Sequence, residues 1–122
     1  LRTLCTSNPF VKETYPFDQV TLVFKVMDKM FALCNIKDNP LEINLKCEPE
    51  LSELLQTKYE AIKPGYHMNK RHWITLTLDG SVPDHEITFL IDLSYELVVK
   101  KLSKVKQLQV LAASIHNESP SI

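Results

Sequence analysis

The densest chemistry in the chain lies in Lys63-Pro64-Gly65-Tyr66-His67-Met68-Asn69-Lys70-Arg71-His72-Trp73. Three cations, two imidazoles and two large aromatics fall there with no acid among them. Lys63, Lys70 and Arg71 are of the type that neutralises phosphates, and Arg71 presents a planar fork to a phosphate oxygen pair. Tyr66 and Trp73 offer flat faces for a base or a sugar. Asn69 carries an amide that suits a base edge, and His67 and His72 add polar contacts. Asn44 and Lys46 point outward from a neighbouring strand pattern and extend the same surface. A segment entered through Pro-Gly is expected at the surface, where a scaffold positions binding residues. The same residues also admit a plainer use. Trp73 covers the edge of the core, Pro64-Gly65 makes a turn, and the cations form a solvated rim.

Other chemistries find less support. His67 and His72 lie five apart on an expected loop, without the spacing of a metal helix or an obvious third ligand, so no metal or cofactor is expected. Cys5, Cys34 and Cys47 are odd in number and lack CxxC spacing. They read as buried free thiols rather than as a disulfide framework or a nucleophile paired with His67. Asp92 and Glu96 are an acidic i, i+4 pair on a helical stretch and read as solvated. Gly65 and Gly80 are the only glycines, which excludes a glycine-rich phosphate loop.

The 122 residues suit one domain of ordinary composition, with 44% apolar and 24% charged residues. Net charge is −1, so no bulk basic charge advertises nucleic acid. No apolar run is long enough for a membrane span, and no secretory signal pattern is visible. With three free thiols, a cytoplasmic setting is expected.

Alternation places strands at Val20–Val26, Met30–Ile36 and Leu41–Cys47, joined by turns at Asp28-Lys29 and Asp38-Asn39-Pro40. Leu41, Ile43, Leu45 and Cys47 alternate with Glu42, Asn44 and Lys46, so one face is buried and one wet. Pro49 opens a helix that runs to about Tyr59, with acid in its first turn. Residues 63–72 read as loop, and Trp73–Leu78 as a strand with Ile74, Leu76 and Leu78 inward. Ser81 and Asp84 have the spacing of a capping box ahead of a long amphipathic helix over 83–102. Val105, Leu108, Leu111, Ala112 and Ile115 extend a helical pattern, and a polar end from His116 is expected to fray. Leu1–Cys5 reads as the last turns of a helix, and Pro9 and Pro16 interrupt helical reading between residues 8 and 18. The class is α+β, a mostly antiparallel sheet with helices packed on one face. Residues 1–102 form the domain and 103–122 a helical extension with its tail.

Several runs carry a family resemblance. Phe17-Asp18, Val23–Val26, Lys29–Ala32, Ile43–Cys47, Pro64–Trp73 and Ser94–Val98 resemble the MmcQ/YjbR-like family, and the likeness runs from about Leu4 to Leu102. Tyr66-His67-Met68-Asn69-Lys70-Arg71-His72-Trp73 is its most specific part. The resemblance implies a bacterial, frataxin-like "double wing" fold and a predicted DNA-binding role. It marks Asn44, Lys46, Tyr66, His67, Asn69, Lys70, His72 and Trp73 as positions to watch. The chain departs from the family at the first hairpin, where Met27 and Asp28 stand in place of glycine. A wider turn with Met27 exposed is expected there. The reading that follows is a monomeric, non-enzymatic domain that binds DNA weakly or as an accessory. The alternative is a protein-interaction or chaperone-like adaptor.

Overall fold

The computed structural model describes residues 2–65 and 69–118. Six strands form one antiparallel sheet: β1 (Val11–Thr14), β2 (Thr21–Val26), β3 (Lys29–Asn35), β4 (Glu42–Lys46), β5 (Ile62–Pro64) and β6 (Trp73–Thr77). Their spatial order is β1-β2-β3-β4-β6-β5. The helices are α1 (Arg2–Thr6), α2 (Pro49–Lys58), α3 (Asp84–Val99) and α4 (Lys104–Glu118).

Strand alternation divides the sheet into two unlike faces. Leu22, Phe24, Ala32, Cys34, Ile43, Leu45, Ile62, Ile74 and Leu76 are buried on one face, in a single apolar cluster. Each helix adds a buried residue to that cluster, including Cys5, Leu55, Ile91 and Val110. The helices therefore pack on that side, as the α+β reading expects, with the end of α3 reaching Met30, Lys46 and Trp73 where β3 and β4 part. Val23 and Trp73 are also buried, yet they stand outside this cluster, on the opposite face.

One side chain ties the helical layer into the sheet. Between Phe24–Ala32 and Lys25–Met30 the register slips, so Phe31 is the extra residue of a β-bulge. Its ring meets Tyr95 of α3 edge-on, with centroids 5.5 Å apart at 88°. Beyond the Ala32–Leu45 pair, no further residues of β3 and β4 are paired. Ser94 of α3, fully buried, fills the opening. Its hydroxyl donates to the Phe31 carbonyl at 2.5 Å and accepts the Lys46 N–H at 2.8 Å. Both backbone groups would otherwise be unmet at a strand divergence.

Several local expectations need correction. β1 falls in a stretch that the prolines mark only as non-helical, and it follows Phe10, whose φ is +61°. The expected loop begins with β5, where Pro64 is tolerated because the strand lies at the sheet edge. The first hairpin is tight rather than wide. Met27 and Asp28 have φ of +48° and +65°, the two left-handed residues of a two-residue turn whose backbone matches strand twist. Met27 is half-buried and packs on the core cluster. The capping box does not form. Pro83 is the N-cap of α3 with no side-chain cap bond, while Ser81 donates to Asp79 instead.

The expected 83–102 helix stops at Val99, and Ser103 immediately precedes α4, its hydroxyl accepting the Lys106 N–H at 3.3 Å. Gln107 reaches back to the carbonyls of Lys100 and Leu102. Residues 104–118 form the expected helical extension, tied to the domain at Gln107 and Val110, and the helix runs past His116, the expected start of fraying. The turn at Asp38-Asn39-Pro40 holds, with a cis Asn39–Pro40 bond. Asp18 sets the start of β2, where one carboxylate oxygen accepts the N–H groups of Val20 and Thr21.

Two variants test this construction. Ser94→Ala strands one buried donor and one buried acceptor, so urea unfolding should show a loss on the order of 2–3 kcal/mol. A loss within error of zero would mean that the gap closes without the hydroxyl. Asp28→Gly relieves a left-handed backbone and should gain roughly 0.5–1 kcal/mol in the same assay.

Candidate nucleic-acid interface

The face without helices carries a continuous register across all six strands. Thr14 pairs with Val23, Val23 with Leu33, Leu33 with Asn44, Asn44 with Thr75, and Thr75 with Lys63. One step along, Lys12 pairs with Lys25, Lys25 with Met30, and, across the opening, Lys46 with Trp73. Residues in register point to one side. This face therefore gathers Lys12, Lys25, Lys46 and Lys63, with Glu42 its only strand carboxylate. The helical layer mixes both signs: Glu50, Glu53 and Lys58 in α2, Asp84, Glu86, Asp92 and Glu96 in α3, and Lys104 and Lys106 in α4.

Lys46 is half-buried, and its ammonium lies 5.8 Å from the Trp73 ring centroid, a cation–π distance. Burial, then repulsion from Lys101, holds the Lys46 ammonium below the ordinary lysine value. Asn44 accepts a 2.6 Å hydrogen bond from Thr75, so its side-chain oxygen braces the sheet. Lys63, Asn69, Lys70, Arg71 and His72 are exposed beside this face. The Asn69 side-chain oxygen accepts the Arg71 N–H, and its carbonyl accepts the N–H groups of His72 and Trp73. Asn69 thus builds the turn that feeds β6. The His72 carbonyl accepts the Cys47 N–H, which fixes this turn to the end of β4.

Trp73 is only 6% exposed. A base cannot stack on a ring already covered, so Trp73 supports the edge of the sheet, the plainer of its two expected roles. Gly65 explains part of this closeness. Its N–H donates to the Trp73 carbonyl at 2.8 Å, and an added Cβ would come within 2.6 Å of the Trp73 Cβ. Gly65 is there for close approach rather than for a turn of unusual φ. Tyr66 and His67 lie outside the described residues.

Lys12 and Lys25 escape sequence reasoning. Lys25 stands in a recognised strand, but only pairing with the unanticipated β1 gives it a cationic neighbour. No sequence signal marks Lys12, since Val11-Lys12-Glu13-Thr14 alternates over too few residues. The thiols are as expected: all three are free and buried. Burial pushes Cys5 up to about 12 and Cys47 up to about 11, which suppresses the thiolate a nucleophile needs. Among the described residues, no group of three His, Cys, Asp or Glu side chains could hold a metal ion.

A family model described as YjbR matches residues 6–97. The chain belongs to the YjbR family. It is 37% identical over 103 residues to the uncharacterised Escherichia coli K12 protein YjbR, covering 84% of this chain and 87% of that one. It is 41% identical over 102 residues to the uncharacterised protein YbdF of Escherichia coli O157:H7, with 84% of each covered. A crystal structure of a Deinococcus radiodurans protein with a DUF419 domain superposes with a TM-score of 0.84 at 44% identity. That match covers 89% of this chain and 83% of the other. A Pseudomonas syringae protein follows at a TM-score of 0.66 and 33% identity, over 79% and 92% of the two chains. The α+β architecture and the family resemblance thus stand. Among the described residues, no helix is long and apolar enough to cross a membrane.

The electrostatics of this YjbR-family face can be checked by pH. A lowered lysine pKa means that the folded state gives up its proton first. Stability should therefore rise with pH from the folded pKa of Lys46 up to the unfolded value near 10.5. Lys101→Gln should raise the Lys46 pKa in a side-chain NMR titration and narrow that window. An unmoved pKa would show that the two ammonium groups do not feel each other.

Proposed function

We propose that the protein is a non-enzymatic nucleic-acid-binding domain that docks on the DNA backbone through its helix-free sheet face. The observation that carries this reading is the alignment of Lys12, Lys25, Lys46 and Lys63 on that face opposite one carboxylate. Lys70 and Arg71 stand exposed at its edge. Adjacent strands are about 4.8 Å apart, so β1 to β5 spans roughly 24 Å. That length is about seven nucleotide rises of one DNA strand. A net charge of −1 is no obstacle, because only Glu42 among the paired strand residues of that face is a carboxylate. With Trp73 covered, Asn44 bonded to the Thr75 hydroxyl across strands and Asn69 bracing its own turn, phosphate contact dominates over base reading. Binding is accordingly weak, accessory and sequence-tolerant. Its setting is a cytoplasm, and the protein acts as a monomer.

Fluorescence anisotropy with labelled duplexes at several salt concentrations tests this. Affinity should fall steeply with salt, and Lys25→Gln or Lys63→Gln should each reduce the log–log slope by about 0.9. Binding that ignores salt, or the absence of any complex at low salt, would sink the proposal.

One observation favours a protein partner as a second reading. Val105, Leu108 and Leu111 leave an apolar stripe on α4, each more than half exposed. An adaptor would use that stripe, and it would survive the lysine substitutions.

A further inference from the structure

A cavity of about 450 Å³ opens where the end of α3 meets the sheet. Its walls are Met30, Trp73, Val98 and Leu102, and its cations are Lys29, Lys46 and Lys101. No acid lines it. We propose that this cavity binds a small phosphomonoester with an organic body.

Three features carry the assignment. The size lies within the usual range for small-ligand sites, and the combination of apolar walls with a few convergent polar groups is their usual chemistry. The cations come from three separate elements: Lys29 from the β3 hairpin, Lys46 from β4, and Lys101 from the turn after α3. Tertiary structure, not local sequence, therefore assembles like charge against apolar walls. Lys46 is also held in place, since its backbone is fixed by Ser94 and its ammonium lies against the Trp73 ring. An anion between Lys46 and Lys101 would replace repulsion with attraction at a site of reduced solvation.

The end of α3 is the main competitor for these cations, because helix C-termini carry partial negative charge. Its carbonyls are already engaged. Lys101 N–H takes Val98, Leu102 N–H takes Val99, and the Gln107 amide takes Lys100 and Leu102. A residual dipole of about half a charge is outweighed by three full positive charges. The organic body follows from Met30, the one apolar wall residue that is only half-buried, which inorganic phosphate would leave without a partner.

The test uses NMR titration of the full chain with adenosine monophosphate, following the Trp73 indole and the amides of Met30, Lys101 and Leu102. Saturable shifts confined to this cavity are expected. Inorganic phosphate should bind far more weakly, and Lys101→Gln and Lys46→Met should each weaken the nucleotide roughly tenfold. Lys101 is exposed, so its replacement leaves the fold intact, which the dispersion of the spectrum verifies. Absent or scattered shifts, inorganic phosphate binding as well as the nucleotide, or unchanged affinity in Lys101→Gln would each overturn the proposal. Lys101→Gln separates this site from duplex docking, since Lys101 lies in the cavity and outside the lysine row of the sheet: duplex affinity should hold while nucleotide affinity falls, and an equal loss of both would overturn the proposal.

Discussion

The Ser94 hydroxyl is the point on which the two layers are registered. A six-stranded sheet whose strands part at one end exposes backbone groups that need partners, and water is excluded from this position. Ser94 answers one acceptor on Phe31 and one donor on Lys46 at once. The consequence is positional. The axis of α3 is set against both β3 and β4, Phe31 is held against Tyr95, and the Lys46 side chain emerges on the opposite face beside Trp73. An apolar residue there would fill the space but leave both backbone groups unmet, at a penalty greater than the packing it restores.

From that registration follows the placement of charge on the sheet. The open face gathers Lys12, Lys25, Lys46 and Lys63, while the helical layer mixes its acids with Lys58, Lys104 and Lys106. Among the paired strand residues of the open face only Glu42 carries negative charge, and Thr77 reaches toward it at 3.5 Å. A near-neutral protein can therefore present a field of one sign to a partner, since local potential depends on placement rather than on the sum. Two kinds of surface arise on that side. One is flat, crossed by rows of lysine, and suited to an extended polyanion. The other is the recess at the end of α3, where apolar walls and three lysines meet.

Much of the architecture was legible in the sequence. Leu41–Cys47 alternates so cleanly that Ile43, Leu45 and Cys47 are buried as expected, with Leu41 half-buried against the core. Glu48 and Pro49 mark the start of α2, and the 3.6-residue rhythm from Ile87 to Val98 marks α3. These signals are local: they arise from the period of side chains along one element. β1 was not legible because four residues are too few for a period to show. The edge strand β5 was hidden by Pro64, whose usual meaning is a turn. The hairpin at Met27-Asp28 was misjudged because glycine is the ordinary choice at left-handed positions, and nothing in the sequence says that a methionine packed on the core will accept one.

The candidate site divides the same way. The sequence by itself determined that residues 63–73 concentrate cations and aromatics, that Asn44 and Lys46 share a strand face, and that the thiols are inert. Only the tertiary structure decided that Trp73 is covered, that Asn69 and Gly65 serve the turn, and that Lys12, Lys25, Lys46 and Lys63 share one face. It alone brought Lys29 and Lys101 to Lys46. Alternation fixes which side of its own strand a residue takes. Which strands are neighbours, and what the end of a helix closes over, depends on burial and hydrogen bonding between residues far apart in the chain.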